Sequence, residues 1–389
     1  MAKQMSFPLP EAILVSRCGE AGTPRESIHS PADGAQGSNG SVNSPTYGMW
    51  GAAMIRLARA FTAIALLAIA AHAQAGSSGV PAATPVGFQV ASATDADGKA
   101  FAVGVWYPAQ GWSSTPNGPN VMGAIQDAPV AGYGLPLVVI SHGNGGGMTS
   151  HIDLAMALAS AGYVVAAPMH PGDNFKDDSS SGSATLYSGR NRQVRLTIDH
   201  IVTKWKGRDA VNAERIGAFG LSAGGFTVLT VAGAQPDMGR IPKHCSQTPE
   251  FICEVLRHYR SPLLSADPPA AEPMQASPNV RAVVVAAPGL GFTLTPAALS
   301  GVKVPVQLWS GEKDDKVPYA TNAKFVVEAL RKKVEFHSVP NAGHLSFLAP
   351  CGPANIPELC TDPEGFDRSA FHATMNAEVV RFFDANLKH

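Results

Sequence analysis

The sequence predicts an α/β fold, a mostly parallel sheet with helices on both faces. Three observations carry that expectation. Short continuous apolar runs, such as 137–140 and 163–167, suit strands buried on both sides. Segments of helical spacing stand between them, which is the alternation of α/β proteins. The 389 residues are 45% hydrophobic and only 15% charged, a composition that buries a large core and excludes wholesale disorder. The net charge of −1 leaves no basic surplus to neutralise phosphates, so nucleic acid is not an expected partner. With 39 Gly and 31 Pro, many turns are expected between elements.

Taken in order, 86–91 and 100–107 read as strands. Phe101, Val103, Val105 and Tyr107 alternate with smaller residues in the second, and Asp97-Gly98 between the two is a hairpin signal. Residues 108–135, rich in Gly, Pro and Asn, read as a loop. A buried strand at 137–140, a helix at 150–160 and a strand at 163–167 follow. In 192–206, Val194, Ile198, Ile201, Val202 and Trp205 share one helical face. A short strand at 216–219 leads into a small-residue helix at 223–234. Residues 235–279 interrupt the rhythm with prolines and a cysteine pair. Strands at 282–286 and 304–309, a helix at 320–332 and a strand at 334–339 restore it. A second cysteine pair lies within 350–368, before a closing helix at 370–387 with Phe371, Met375, Val379, Phe382 and Phe383 on its inner face. No internal repeat is visible.

The beginning of the chain reads as an export signal. Arg56 and Arg59 follow Met54, an apolar run covers 60–71, and Ala73-Gln74-Ala75 is an A-x-A cleavage pattern. The run is shorter than the roughly 20 residues that span a bilayer core, so no stable membrane anchor is expected. Residues 54–75 are thus expected to be a signal peptide. Residues 1–53 are expected to be a disordered leader or a mis-called extension, with translation starting at Met54 or Met49, and 76–389 to be the folded domain of a periplasmic or secreted protein. Cys18 falls in the removed part. Cys245, Cys253, Cys351 and Cys360 remain, an even number suited to disulfides in an exported chain. Three connectivities are possible, and the short loops favour Cys245–Cys253 with Cys351–Cys360. Zinc is the rival reading, but the spacing companions of a zinc site are missing, and no metal is expected.

The chemistry is signalled by Gly220-Leu221-Ser222-Ala223-Gly224, a G-x-S-x-G pattern placed between a strand and a helix. Glycines flank the serine because such a turn is strained and the backbones around it approach closely. A serine hydroxyl needs a base, and Asn341-Ala342-Gly343-His344 supplies one after the last strand. His337, in a strand, and His372, in a helix, are weaker candidates. The acid that orients the imidazole is sought in 311–318, where Asp314 is preferred, with Asp315 and Glu312 as alternatives. The chain order Ser, Asp, His follows. The oxyanion needs backbone donors aimed at it in advance. The Gly-rich Ser141-His142-Gly143-Asn144-Gly145-Gly146-Gly147, after the first buried strand, fits that need. Asn144 and Ala223 amides are assigned as the donors, with His142 as a residue that orients the loop. The loop lacks the G-K-[ST] ending of a phosphate cradle. No cofactor is required by this chemistry.

These residues resemble the α/β-hydrolase superfamily. More closely, the chain is similar to bacterial proteins labelled predicted dienelactone hydrolases and to platelet-activating-factor acetylhydrolase-like serine esterases. The resemblance spans about 104 to the C-terminus. It rests on Val105-Trp106-Tyr107-Pro108, 137–147, 162–171, the serine elbow, 311–318, 341–351 and Gly365-Phe366-Asp367-Arg368. It implies an α/β-hydrolase fold with Ser222, Asp314 and His344 in the triad roles, and a lid-like insertion at 235–279. Two positions depart from the pattern. Dienelactone hydrolases carry a nucleophilic cysteine where Ser222 stands, and the acetylhydrolase elbow carries histidine where Leu221 stands. An aspartate nucleophile, needed for haloalkane dehalogenation, is absent at 222. Arg240, Lys243, Arg257, His258 and Arg260 make the insertion positive, which suits an anionic substrate or the solvation of an exposed helix, the second being preferred.

The expected function is an exported serine hydrolase that cleaves small-molecule or lipid carboxylic esters through an acyl-enzyme. The alternatives are a phospholipase or acetylhydrolase-like lipid hydrolase, and a non-catalytic hydrolase-fold binding protein. Acyl preference and oligomeric state are left open by the sequence.

Overall fold

Mostly antiparallel pairing at one edge and parallel pairing through the rest divide the ten-stranded sheet of this computed structural model. It describes residues 84–111, 120–121, 123–269, 272–352 and 356–388. The expected extension at 1–53, the signal peptide at 54–75 and Cys18 lie outside the described residues. Among those described, no helix is long and apolar enough to cross a membrane.

The strands, in chain order, are β1 (Val86–Thr94), β2 (Ala100–Pro108), β3 (Asn120–Val121), β4 (Ala124–Gln126), β5 (Leu135–Ser141), β6 (Val164–Pro168), β7 (Val211–Leu221), β8 (Val280–Ala286), β9 (Val306–Gly311) and β10 (Val334–Val339). Their spatial order is β10-β9-β8-β7-β5-β6-β2-β1-β4-β3. β1 and β2 form the expected hairpin, with Thr94 opposite Ala100 and Gly98 at φ +82° in the turn. From β6 to β10 every neighbouring pair is parallel, so these strands all end on one edge of the sheet. The segment read as a loop at 108–135 adds two short strands, β3 and β4, to the far edge. Strands of two and three residues are too short to leave a periodic signal.

The helices are α1 (Ile152–Ser160), α2 (Leu186–Thr203), α3 (Ala223–Val231), α4 (Ile241–Gln247), α5 (Phe251–His258), α6 (Ala323–Leu330), α7 (Pro357–Cys360) and α8 (Arg368–Leu387). Val138 and Ile140 of β5 pack with α1 and α8 in one apolar cluster. Leu137 and Val139 pack with α2, α3 and α6 in another. Alternate side chains of one strand thus serve cores on opposite faces, as a doubly covered parallel sheet requires. On α8, Met375, Val379, Phe382 and Phe383 are buried, while Phe371 is only half-buried.

One boundary differs with consequence. α2 begins at Leu186, six residues before the expected start at 192. Ser188 and Gly189 are poor helix formers, but Leu186, Tyr187, Arg190 and Asn191 are buried there, and packing overrides propensity. The insertion at 235–279 is built around α4 and α5, bridged by Cys245–Cys253 with Cα atoms 5.3 Å apart. Cys351 and Cys360 form the second bridge, at 5.9 Å.

Candidate active site

β7 ends at Leu221, and Ser222 takes φ +57° and ψ −117° before α3 starts at Ala223. A non-glycine residue at positive φ is strained and persists only where its surroundings hold it. Here the Ser222 N–H donates to Ala286 O (2.9 Å), and Ser222 O accepts from Phe226 N–H and Gly289 N–H (both 3.0 Å). The flanking glycines are sterically required. A Cβ on Gly220 would lie 2.1 Å from Gly224 O, and one on Gly224 would lie 1.9 Å from Ser141 O. The second figure also shows how closely the first turn of α3 backs onto the end of β5.

His344 opens a short 3-10 turn after β10. Ser346 holds that turn: its Oγ accepts from Gly343 N–H (3.1 Å) and donates to Asp362 Oδ1 (2.6 Å). Arg368 in turn pairs with Asp362 at 2.9 Å. His344 Nδ1 meets Asp314 Oδ2 at 2.8 Å, and both residues are buried. The other oxygen of Asp314 accepts from the Lys316 and Val317 N–H groups at 3.1 and 2.7 Å. Of the two alternative acids, Asp315 is exposed, and Glu312, also exposed, takes a hydrogen bond from Ser338. His337 lies in β10 against Glu335, and His372 in α8 against Asp153.

Ser222, Asp314 and His344 therefore follow the carboxyl ends of β7, β9 and β10, on one edge of the sheet, where chemistry collects in open α/β folds. Ser222 Oγ makes no hydrogen bond to His344 among the described residues. The two face neighbouring hollows with one wall in common: Lys316 lines both the cleft that holds Ser222 and the depression that holds His344.

Asn144 and Ala223 both line the Ser222 cleft, and neither backbone N–H is bonded to another group among the described residues. His142 stays behind the loop. Its Nδ1–H donates to Gly143 O (2.7 Å), and its Nε2 accepts from His170 N–H (3.3 Å). Burial, with Arg190 adding to it, holds the His142 pKa well below the ordinary histidine value, so the ring is neutral.

The remaining walls of the cleft were not foreseen. Tyr187, Phe251, Ile252, Leu290 and Val317 make them largely apolar, and Glu250, Lys316 and Asn322 are their polar members. Asn322 Nδ2 donates to Glu250 Oε2 at 3.1 Å. Lys316 Nζ stands 5.2 Å from the centre of the Phe251 ring, within cation–π range. The insertion thus supplies Glu250, Phe251 and Ile252 to the site. Its cations are partly occupied elsewhere: Arg240 donates to Phe292 O and Arg257 to Cys245 O. Prolines and a cysteine pair located this segment in the sequence, but no pattern told which of its residues face Ser222. Among the described residues, no group of three or more His, Cys, Asp or Glu is arranged to hold a metal ion.

The fold is that of the α/β-hydrolases, and the strained elbow stands where that fold carries its nucleophile. Within that class, the family model of platelet-activating factor acetylhydrolase, isoform II, matches residues 122–205. The matched stretch includes Asn144 and ends before Ser222. The chain is also similar to the ferulic acid esterase from Streptomyces cinnamoneus, with a TM-score of 0.54 and 21% identity over 78% of this chain and 91% of that one. No curated protein matches it. The fold recurs in 881 matching solved chains, so it does not by itself choose a substrate. The comparisons support the resemblance to acetylhydrolase-like serine esterases, and with it a carboxylic ester hydrolase as the class of enzyme.

Proposed function

We propose that this protein is an exported serine hydrolase that cleaves carboxylic esters by a Ser222–His344–Asp314 triad. The observation that carries the reading is the buried 2.8 Å pairing of His344 Nδ1 with Asp314 Oδ2, on the same sheet edge as the strained Ser222 elbow. With Nδ1–H donated to the carboxylate, Nε2 is left as the base. Ser222 Oγ attacks the ester carbonyl carbon while its proton passes to Nε2. The Asn144 and Ala223 N–H groups receive the negative charge that develops on the carbonyl oxygen. The tetrahedral adduct collapses, the C–O bond to the alcohol breaks, and the imidazolium returns the proton to the departing alkoxide. Water, deprotonated by the same imidazole, then releases the acid and restores Ser222. Catalytic hydrogen bonds are often long before substrate arrives, which is compatible with Ser222 and His344 sharing no hydrogen bond among the described residues. The two disulfides accord with export to an oxidising compartment.

The test is hydrolysis of short-chain p-nitrophenyl esters by the wild type and by Ser222→Ala. Loss of at least about 10³-fold in kcat is expected. Undiminished turnover in the variant would overturn the assignment, and failure of a fluorophosphonate probe to label the wild type would favour a binding protein without catalysis.

The match of residues 122–205 favours a second reading, an acetylhydrolase of lipid esters. It predicts a higher kcat/KM for platelet-activating factor than for p-nitrophenyl acetate, and a ferulate ester belongs in the same panel.

A further inference from the structure

The structure points to a device behind the site. We propose that Arg190 and Asp173 are positioning residues that set the geometry of both oxyanion donors. The proposal rests on the triad reading above and extends it.

Arg190 lies in the early part of α2 that the sequence left outside the helix, and it is 1% exposed. Its Nη1 meets Asp173 Oδ2 at 2.5 Å, and Asp173 is fully buried. The other carboxylate oxygen, Oδ1, accepts from Asn144 Nδ2 at 2.5 Å and from Gly145 N–H at 2.9 Å. Arg190 Nη2 donates to His142 O on the same loop, and Nε reaches Thr227 Oγ1 of α3 at 3.4 Å. Thr227 in turn donates to Ala223 O at 2.7 Å. One guanidinium therefore grips the loop that carries the Asn144 donor, directly at His142 O and through Asp173 at Asn144 and Gly145, and touches the helix whose first residue carries the Ala223 donor.

Neither Arg190 nor Asp173 lines the cleft, so they act through other groups and not on substrate. A buried ion pair is a poor way to gain stability, since its desolvation offsets its attraction and apolar replacements are often as stable. It can instead fix direction. The planar fork of arginine addresses the carboxylate, the His142 carbonyl and the Thr227 hydroxyl at once, which the single point charge of lysine cannot do. An oxyanion hole depends on that kind of fixity, because its donors must be aimed before the charge develops.

The test uses the full chain and p-nitrophenyl acetate. Active sites are counted by labelling to completion with a fluorophosphonate probe. Arg190→Lys and the isosteric Asp173→Asn are each expected to lower kcat per labelled site by about 10- to 100-fold. KM should stay within about threefold, because the lost interaction belongs to the transition state. A merely structural role would reduce the number of labelled sites and leave kcat per site unchanged, and that result overturns the proposal. If Arg190→Lys does not fold, Asp173→Asn decides. Ser222→Ala separates the two levels of inference. An inactive Ser222→Ala beside unchanged Arg190→Lys and Asp173→Asn removes only the positioning role. A Ser222→Ala as active as the wild type removes the triad, and this proposal with it.

Discussion

A carboxylate bonded to an imidazole through one oxygen and to two backbone amides through the other cannot turn without breaking three contacts. Asp314 is in that position, and neither Asp315 nor Glu312 is. In the triad reading, Asp314→Asn leaves the shape and disturbs the imidazole tautomer. A fall in kcat of about 10⁴-fold is expected, with KM little changed. Asp315→Asn should stay within about threefold of wild type in the same p-nitrophenyl ester assay. The sequence could offer all three acids and rank them, because a turn after a strand narrows the choice to a few residues. It could not supply the physical ground for preferring Asp314 to its neighbour, because exposure and aim within a turn depend on β10 and its 3-10 turn. Arg190 and Asp173 were harder still. Both lie far in the chain from Asn144 and Thr227, and no local pattern joins them. One signal was there: Arg190 stands four residues before Val194 and eight before Ile198, a charge on an apolar stripe once α2 is extended backwards.

At the scale of elements, the strand–elbow–helix unit of β7, Ser222 and α3 was legible because its requirement is local. Glycines must stand where backbones nearly touch. Gly224→Ala makes that requirement testable, since the added methyl would have to displace Ser141 O from 1.9 Å. Destabilisation of about 1–3 kcal/mol is expected in urea unfolding, as for overpacked sites, together with slower labelling of Ser222 by a fluorophosphonate. Wild-type stability and labelling in Gly224→Ala would show the contact to be slack. The central strands β5, β6, β8 and β9, with the second half of β7, were equally legible, since burial on both faces writes an apolar run into the chain. β3, β4 and the start of α2 were not. Two are shorter than any period, and the third forms through packing against residues that its own sequence does not display.

The whole molecule carries a pH dependence in its buried imidazoles. Burial lowers the pKa of His151 to about 4, and it holds His142 and His170 well below the ordinary value, with Arg190 as a further cause for those two. A histidine whose pKa is lower folded than unfolded must be neutral to fold. The stability this gives is present above pH 6.5 and is lost as pH falls toward the folded value. For His151 the window runs from 6.5 to about 4, with a slope on the order of 1.4 kcal/mol per pH unit within it. Urea unfolding at pH 7.5 and pH 5, chosen as about one unit above and 1.5 below the ordinary histidine pKa, should give a clearly lower midpoint at the acid value. Equal midpoints would mean that these rings reach solvent.

The two cystines fasten the rim of the active-site edge and leave the sheet alone. One bridges the segment that walls the cleft with Phe251 and Ile252. The other ends at Cys360, two residues before the Asp362 that steadies the His344 turn. Recombinant material made in a reducing cytoplasm would keep its sheet and its far-ultraviolet dichroism, and yet present a slackened rim to substrate. A good backbone spectrum is therefore no certificate of a competent catalyst, and the host compartment belongs among the variables of any substrate screen.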